Sequence, residues 1–163
     1  MNVTRVVRQD FADDEYAILL ELAFKEADSF EFTIKEMSVK VNAGNVLTEH
    51  RLEGAYTHVL TPLREFLIQH NTSNRENIAH IYERDTVSHI FRYKAINRAK
   101  AVLQTFTDHA FGWSMGDALP EYLTFYKGDE PLFIIVEDEY EVWFCEESEK
   151  QLIPALINYH ENK

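Results

Sequence analysis

PEYLTFYKGDEPLFIIVEDEYEVWFC, residues 120–145, is the stretch whose reading decides the fold. Three short runs rich in β-branched and aromatic residues are separated by two polar breaks, Lys127 to Pro131 and Glu137 to Tyr140. That pattern predicts an antiparallel three-strand meander. In the middle run Leu132, Ile134 and Val136 fall on one face and Phe133 and Ile135 on the other. A strand apolar on both faces belongs inside a sheet rather than at its edge. The densest acidic cluster of the chain sits in the same stretch, so the core strand and the most charged surface are neighbours in sequence.

Outward from the meander, several segments read as strands. Phe30 to Glu36 alternates strictly. Residues 79–85 (AHIYERD) and 88–94 (SHIFRYK) form two further runs across Asp85-Thr86-Val87. Residues 16–24 (YAILLELAF) fit both periods, with Asp13 or Asp14 available as a helix cap, and the reading adopted is a strand joined to Phe30–Glu36 through Lys25–Ser29. Asn42 to Asn45 is a turn. From Thr48 to Leu67 the period is helical, with a kink or restart at Thr61-Pro62, and His70 to Asn74 reads as a polar loop. Ile96, Ala99, Leu103, Phe106 and Ala110 mark the cleanest helical stripe; Phe111 to Pro120 is a loop, and a short helix closes the chain over Gln151–Tyr159. The tally is about six strands and three or four helices without regular alternation. The expected class is α+β: a mainly antiparallel sheet with a C-terminal meander at 120–145 and helices packed against it, in a single domain over residues 1–163.

Composition narrows the function classes. The chain has 163 residues, 45% hydrophobic and 13% aromatic, enough for a real core. The start of the chain is polar and charged, with no signal peptide pattern, and the longest apolar run, Leu132 to Val136, is far too short to cross a bilayer. A single cysteine, Cys145, forms no internal disulfide, which points to a reducing cytoplasm. Net charge is −12 and unevenly placed: residues 117–163 hold 12 Asp/Glu against 3 Lys/Arg, whereas 84–100 holds five basic residues against Asp85 alone. Such a field disfavours nucleic acid and anionic lipid and steers basic partners toward the C-terminal third.

No catalytic motif survives its context. Gly112-Trp113-Ser114-Met115-Gly116 is a literal G-x-S-x-G, but it follows a helix and precedes a strand, the reverse of a nucleophile elbow. Its expected role is a glycine-punctuated loop with Trp113 anchored in the core. The seven histidines, at 50, 58, 70, 80, 89, 109 and 160, lack metal-ligand spacing. His80 and His89 would meet only through strand pairing. Cys145 beside Glu146 and Glu147 is disfavoured as a nucleophile. The five glycines form no phosphate-binding loop, so no cofactor is implied.

Trp113, followed by Pro120-Glu121-Tyr122-Leu123-Thr124-Phe125-Tyr126 ahead of an apolar strand ending in acids, resembles a group of small bacterial proteins of uncharacterised function. That group carries a W…PEDLxF(F/Y) strand before a strand ending His-Glu. Leu60-Thr61-Pro62-Leu63 is similar to its middle helix; Tyr122 stands where that pattern has Asp, and Glu137-Asp138 near its His-Glu. The resemblance implies no activity.

The expectation is therefore a non-enzymatic protein-interaction module of immunity or inhibitor type. Its surface comprises Glu137, Asp138, Glu139, Tyr140, Glu141, Trp143, Glu146 and Glu147, and it takes a protein partner with a basic face. Arg92, Lys94 and their neighbours are expected to pair with the acidic meander, within the fold or across a homodimer. Two alternatives stand beside it: a small hydrolase or metal-dependent enzyme using Ser114 or the His80/His89 pair, and a nucleic-acid mimic.

Overall fold

In the computed structural model, residues 1–41, 45–49, 56–75, 84–113 and 119–162 are described. The chain is α+β. Eight antiparallel strands form one sheet: β1 Val3–Val7, β2 Ser29–Val41, β3 Asn45–Glu49, β4 Leu67–Arg75, β5 Arg84–Lys94, β6 Glu121–Lys127, β7 Glu130–Val136 and β8 Glu141–Cys145. Their order is β1-β8-β7-β6-β2-β5-β4, with β3 paired to the far half of β2. The helices are α1 Asp14–Glu26, α2 Thr57–Leu63, α3 Asn97–Gln104 and α4 Leu152–Glu161.

The meander is β6-β7-β8. Its middle strand lies inside the sheet, and Leu132, Phe133, Ile135 and Val136 are all buried. The β6–β7 turn is tighter than the five-residue break in the sequence. Lys127 faces Glu130, and only Gly128 and Asp129 lie between them, Gly128 having φ +59, where a side chain would be strained. The β7–β8 connection is a 3₁₀ turn, Glu137–Glu139, closed by Tyr140 in the left-handed region at φ 55.

One row of directly opposed residues runs through Phe144 of β8, Phe133 of β7, Phe125 of β6, Phe30 of β2 and Tyr93 of β5. Successive ring centroids are 5.7, 5.0, 5.7 and 5.4 Å apart. Cross-strand aromatic pairs at such spacings stabilise a sheet beyond the area they bury. The row faces the helices: Phe24 of α1 contacts both Phe30 and Phe125, and Trp113 packs on Phe32. Helix α1 packs against both α3 and α4, and α2 against α3, so the helices form a layer over this face.

Residues 16–24 belong to helix α1, correcting the strand reading. Tyr16, Leu19, Leu20, Ala23 and Phe24 are the buried set, a helical stripe at i, i+3, i+4, i+7 and i+8. Asp14 and Glu15 in the first turn and Lys25 in the last complement the helix dipole. Both periods exist in the sequence, and helix propensity together with burial against the sheet selects the longer one. The helical reading from Thr48 is corrected as well. Thr48 lies in β3, and α2 covers only Thr57–Leu63, tightening into a 3₁₀ turn at Arg64–Phe66 just after Pro62. The expected polar loop at His70–Asn74 is part of β4, an edge strand, where solvent on both faces removes the apolar alternation that betrays strands elsewhere. Strand β1, the other edge, gave no sequence signal for the same reason. Helix α3 has eight residues, shorter than the expected stripe; a turn follows, then a 3₁₀ turn at Ala110–Gly112. Helix α4 matches its expected position, with Pro154 in the first turn, where its missing N–H is harmless. The expected strand at 79–83 and turn residues 42–44 lie outside the described residues.

Candidate interaction surface

Because strand side chains alternate between faces, the row next to the aromatic one points away from the helices. It runs Val6, Trp143, Ile134, Thr124, Glu31, Arg92, Gln69 across seven strands. Burial along the row is uneven, and Thr124 is buried. Val6 is 43% exposed, while Trp143, Ile134, Glu31 and Arg92 are half-buried. At an inter-strand spacing near 4.8 Å, the apolar part from Val6 to Ile134 spans about 10 Å. The other end of the row is polar. Arg92 donates to Ser29 Oγ at 3.0 Å and lies 4.3 Å over the Tyr126 ring, whose hydroxyl donates to Glu31 at 2.7 Å. Burial and the adjacent Glu31 push the Tyr126 hydroxyl well above the ordinary phenol range.

The sequence-predicted residues occupy three places on this frame. Trp143 and Glu141 lie on the open face itself, the indole N–H donating to Glu141 Oε2 at 2.6 Å. Glu137, Asp138, Glu139 and Tyr140 form the turn at one end of β8, where Glu137 is buried and Tyr140 is 63% exposed. Asp138 accepts from the Tyr122 hydroxyl at 3.1 Å; burial first, and that bond second, push the Tyr122 hydroxyl up to about 12. Glu146 and Glu147 follow the other end of β8, about 17 Å away at ~3.3 Å per residue over its five residues. The acids contiguous in sequence therefore do not form one patch. They bracket the open face at its two ends.

Their basic partners are not those expected. Arg8 pairs with Glu141 at 2.9 Å, Lys150 with Glu147 at 2.7 Å, and Asn2 donates to Glu146. Arg5 holds Glu149 through two bonds, of 2.7 and 3.0 Å, which lowers that carboxyl below its usual range. In the basic stretch 84–100, Arg98 pairs instead with Glu65 and Lys100 with Glu21, and Arg92 meets the meander at the Tyr126 ring and the Gly128 carbonyl rather than at its acids. The N-terminal edge strand that carries Arg5 and leads into Arg8 was invisible in the sequence.

The enzymatic alternatives fare unequally. Ser114 and His80 lie outside the described residues. Trp113 is fully buried, as expected of a loop anchor, and its indole N–H donates to the Tyr16 hydroxyl. Gly112 is a glycine for packing reasons, since a Cβ there would come within 2.0 Å of Thr107 Oγ1. His89 meets His70 diagonally across β4 and β5, with His70 Nε2 and His89 Nδ1 2.9 Å apart, a pairing that spacing alone missed. Among the described residues no group of three or more His, Cys, Asp or Glu is placed to hold a metal ion. Cys145 is buried at the end of β8, and burial raises its thiol pKa. Among the described residues no helix is long and apolar enough to cross a membrane. The chain matches no family model, no curated protein and no solved structure.

Proposed function

We propose that this protein is a protein-binding module that works through the open face of its sheet, in the reducing environment of the cytoplasm. The observation that carries this reading is the exposed to half-buried row Val6–Trp143–Ile134, an apolar centre bracketed at both ends of β8 by acidic turns. Apolar centres with charged rims are the usual anatomy of an interface, and tryptophan is the commonest anchor within them. The net charge of −12 selects a partner with a basic rim and speeds their encounter. An inhibitor or immunity protein directed at a basic toxin is the specific form of this reading.

The test is affinity capture from the native host at low and high salt, using the wild-type chain and folded Trp143→Ser. The expected result is a basic partner captured at low salt by the wild type, weakened at high salt and lost with Trp143→Ser. A partner held equally by both chains would overturn the role of this face. Salt-independent capture would remove the electrostatic part. Self-association through the same residues, seen as a dimer in light scattering and abolished by Trp143→Ser, would replace the foreign partner by a second copy.

A further inference from the structure

On the helix side, away from the proposed partner face, a cavity of 360 Å³ opens between the edge strand β1, the start of α1 and helix α4. That volume lies within the range of small-molecule sites, about 300–1,000 Å³. Its lining is divided. Phe11 and Phe144, packed edge to face at 6.1 Å, and Ile153 and Leu156 of α4 provide an apolar surface. Asp10 and Glu15 add two carboxylates, beside Gln9 and His160. The Asp10 carboxylate is held in place because its Oδ1 accepts the backbone N–H of Phe111 at 3.0 Å. Arg5 also lines the cavity, but its guanidinium is engaged by Glu149 in two hydrogen bonds, so its charge is already matched.

We infer that this cavity is a binding site for a small organic cation with an apolar body, its charged head at Asp10 and its body against Phe11, Phe144 and Leu156. An anion of the same size would bring its charge against two carboxylates in a chain whose net charge is already −12. A neutral analogue would gain the apolar contact alone. Because the charged head meets a carboxylate already held in place by the Phe111 N–H, the charged contact should discriminate between the probes.

The experiment is an NMR titration of the full chain with 2-phenylethylammonium, with 2-phenylethanol and phenylacetate as probes of identical body and different charge. The expected result is saturable movement of the Val7, Phe11 and Leu156 amide signals with the ammonium, weaker binding of the alcohol and none of the carboxylate. Asp10→Asn keeps the oxygen that accepts from Phe111, so the fold should persist while ammonium affinity falls about tenfold or more, the size expected for a hydrogen bond to a charged group. Glu15→Gln should cost less, since the head group is assigned to Asp10. Phenylacetate binding as tightly as the ammonium, unchanged affinity in Asp10→Asn, or no saturable shift at these residues would each overturn the assignment.

Discussion

The indole N–H of Trp113 donates to the hydroxyl of Tyr16 at 2.9 Å, joining the loop after α3 to the first turn of α1 inside the core. Both side chains are almost fully buried, and burial raises the Tyr16 hydroxyl pKa while the bond from Trp113 acts the other way. Trp113→Phe keeps most of the ring and removes the donor, leaving a buried hydroxyl short of a partner. The expected loss is about 1–3 kcal/mol in urea unfolding. Tyr16→Phe should cost a similar amount. The double variant should lose less than the sum, because the two groups serve one bond. Strict additivity would show that the contact contributes nothing on its own.

Phe133 stands between two rings of the aromatic row, 5.0 Å from Phe125 and 5.7 Å from Phe144 between ring centroids. Phe133→Ala opens a gap in a row packed under the helices and is expected to cost about 3–5 kcal/mol, read as a fall in the denaturation midpoint. Trp143, one row away on the opposite face, is only half-buried, so its replacement should cost clearly less. The contrast separates a residue that holds the sheet together from one available to a partner. Equal losses would mean that Trp143 is a core residue.

The His70–His89 pair makes stability depend on pH. Burial first, and the neighbouring His89 second, lower the His70 pKa below the ordinary histidine value. The unfolded chain therefore takes up a proton before the folded one, and stability falls as pH drops through about 6.5, levelling off below the folded value. The effect should be greatest on the edge strand β4, seen as faster amide exchange at mildly acidic pH, and His70→Gln should flatten it. Exchange at β4 that is insensitive to pH after correction for intrinsic rates would contradict this.

Local periodicity determined part of this protein unaided. The meander was legible because its strands alternate and carry polar breaks, and a both-face apolar strand such as Leu132–Val136 has nowhere to lie but inside a sheet. Phe30–Glu36, helix α4 and the core role of Trp113 were legible for similar reasons: burial leaves a periodic trace in composition. The edge strands β1 and β4 left none, since their mostly exposed residues impose no alternation, and β1 finds its partner β8 at the other end of the chain. Helix α1 carried two periods at once, and packing on the sheet selected one. The candidate site divided along the same line. Trp143 and the acids could be named from the sequence, whereas their separation by about 17 Å along β8 depends on strand geometry. The Arg5 and Arg8 contacts, the His70–His89 pair and the cavity beneath α4 join residues from distant segments. Only the folded chain brings those residues together, because what they share is a place in the sheet and no spacing in the sequence.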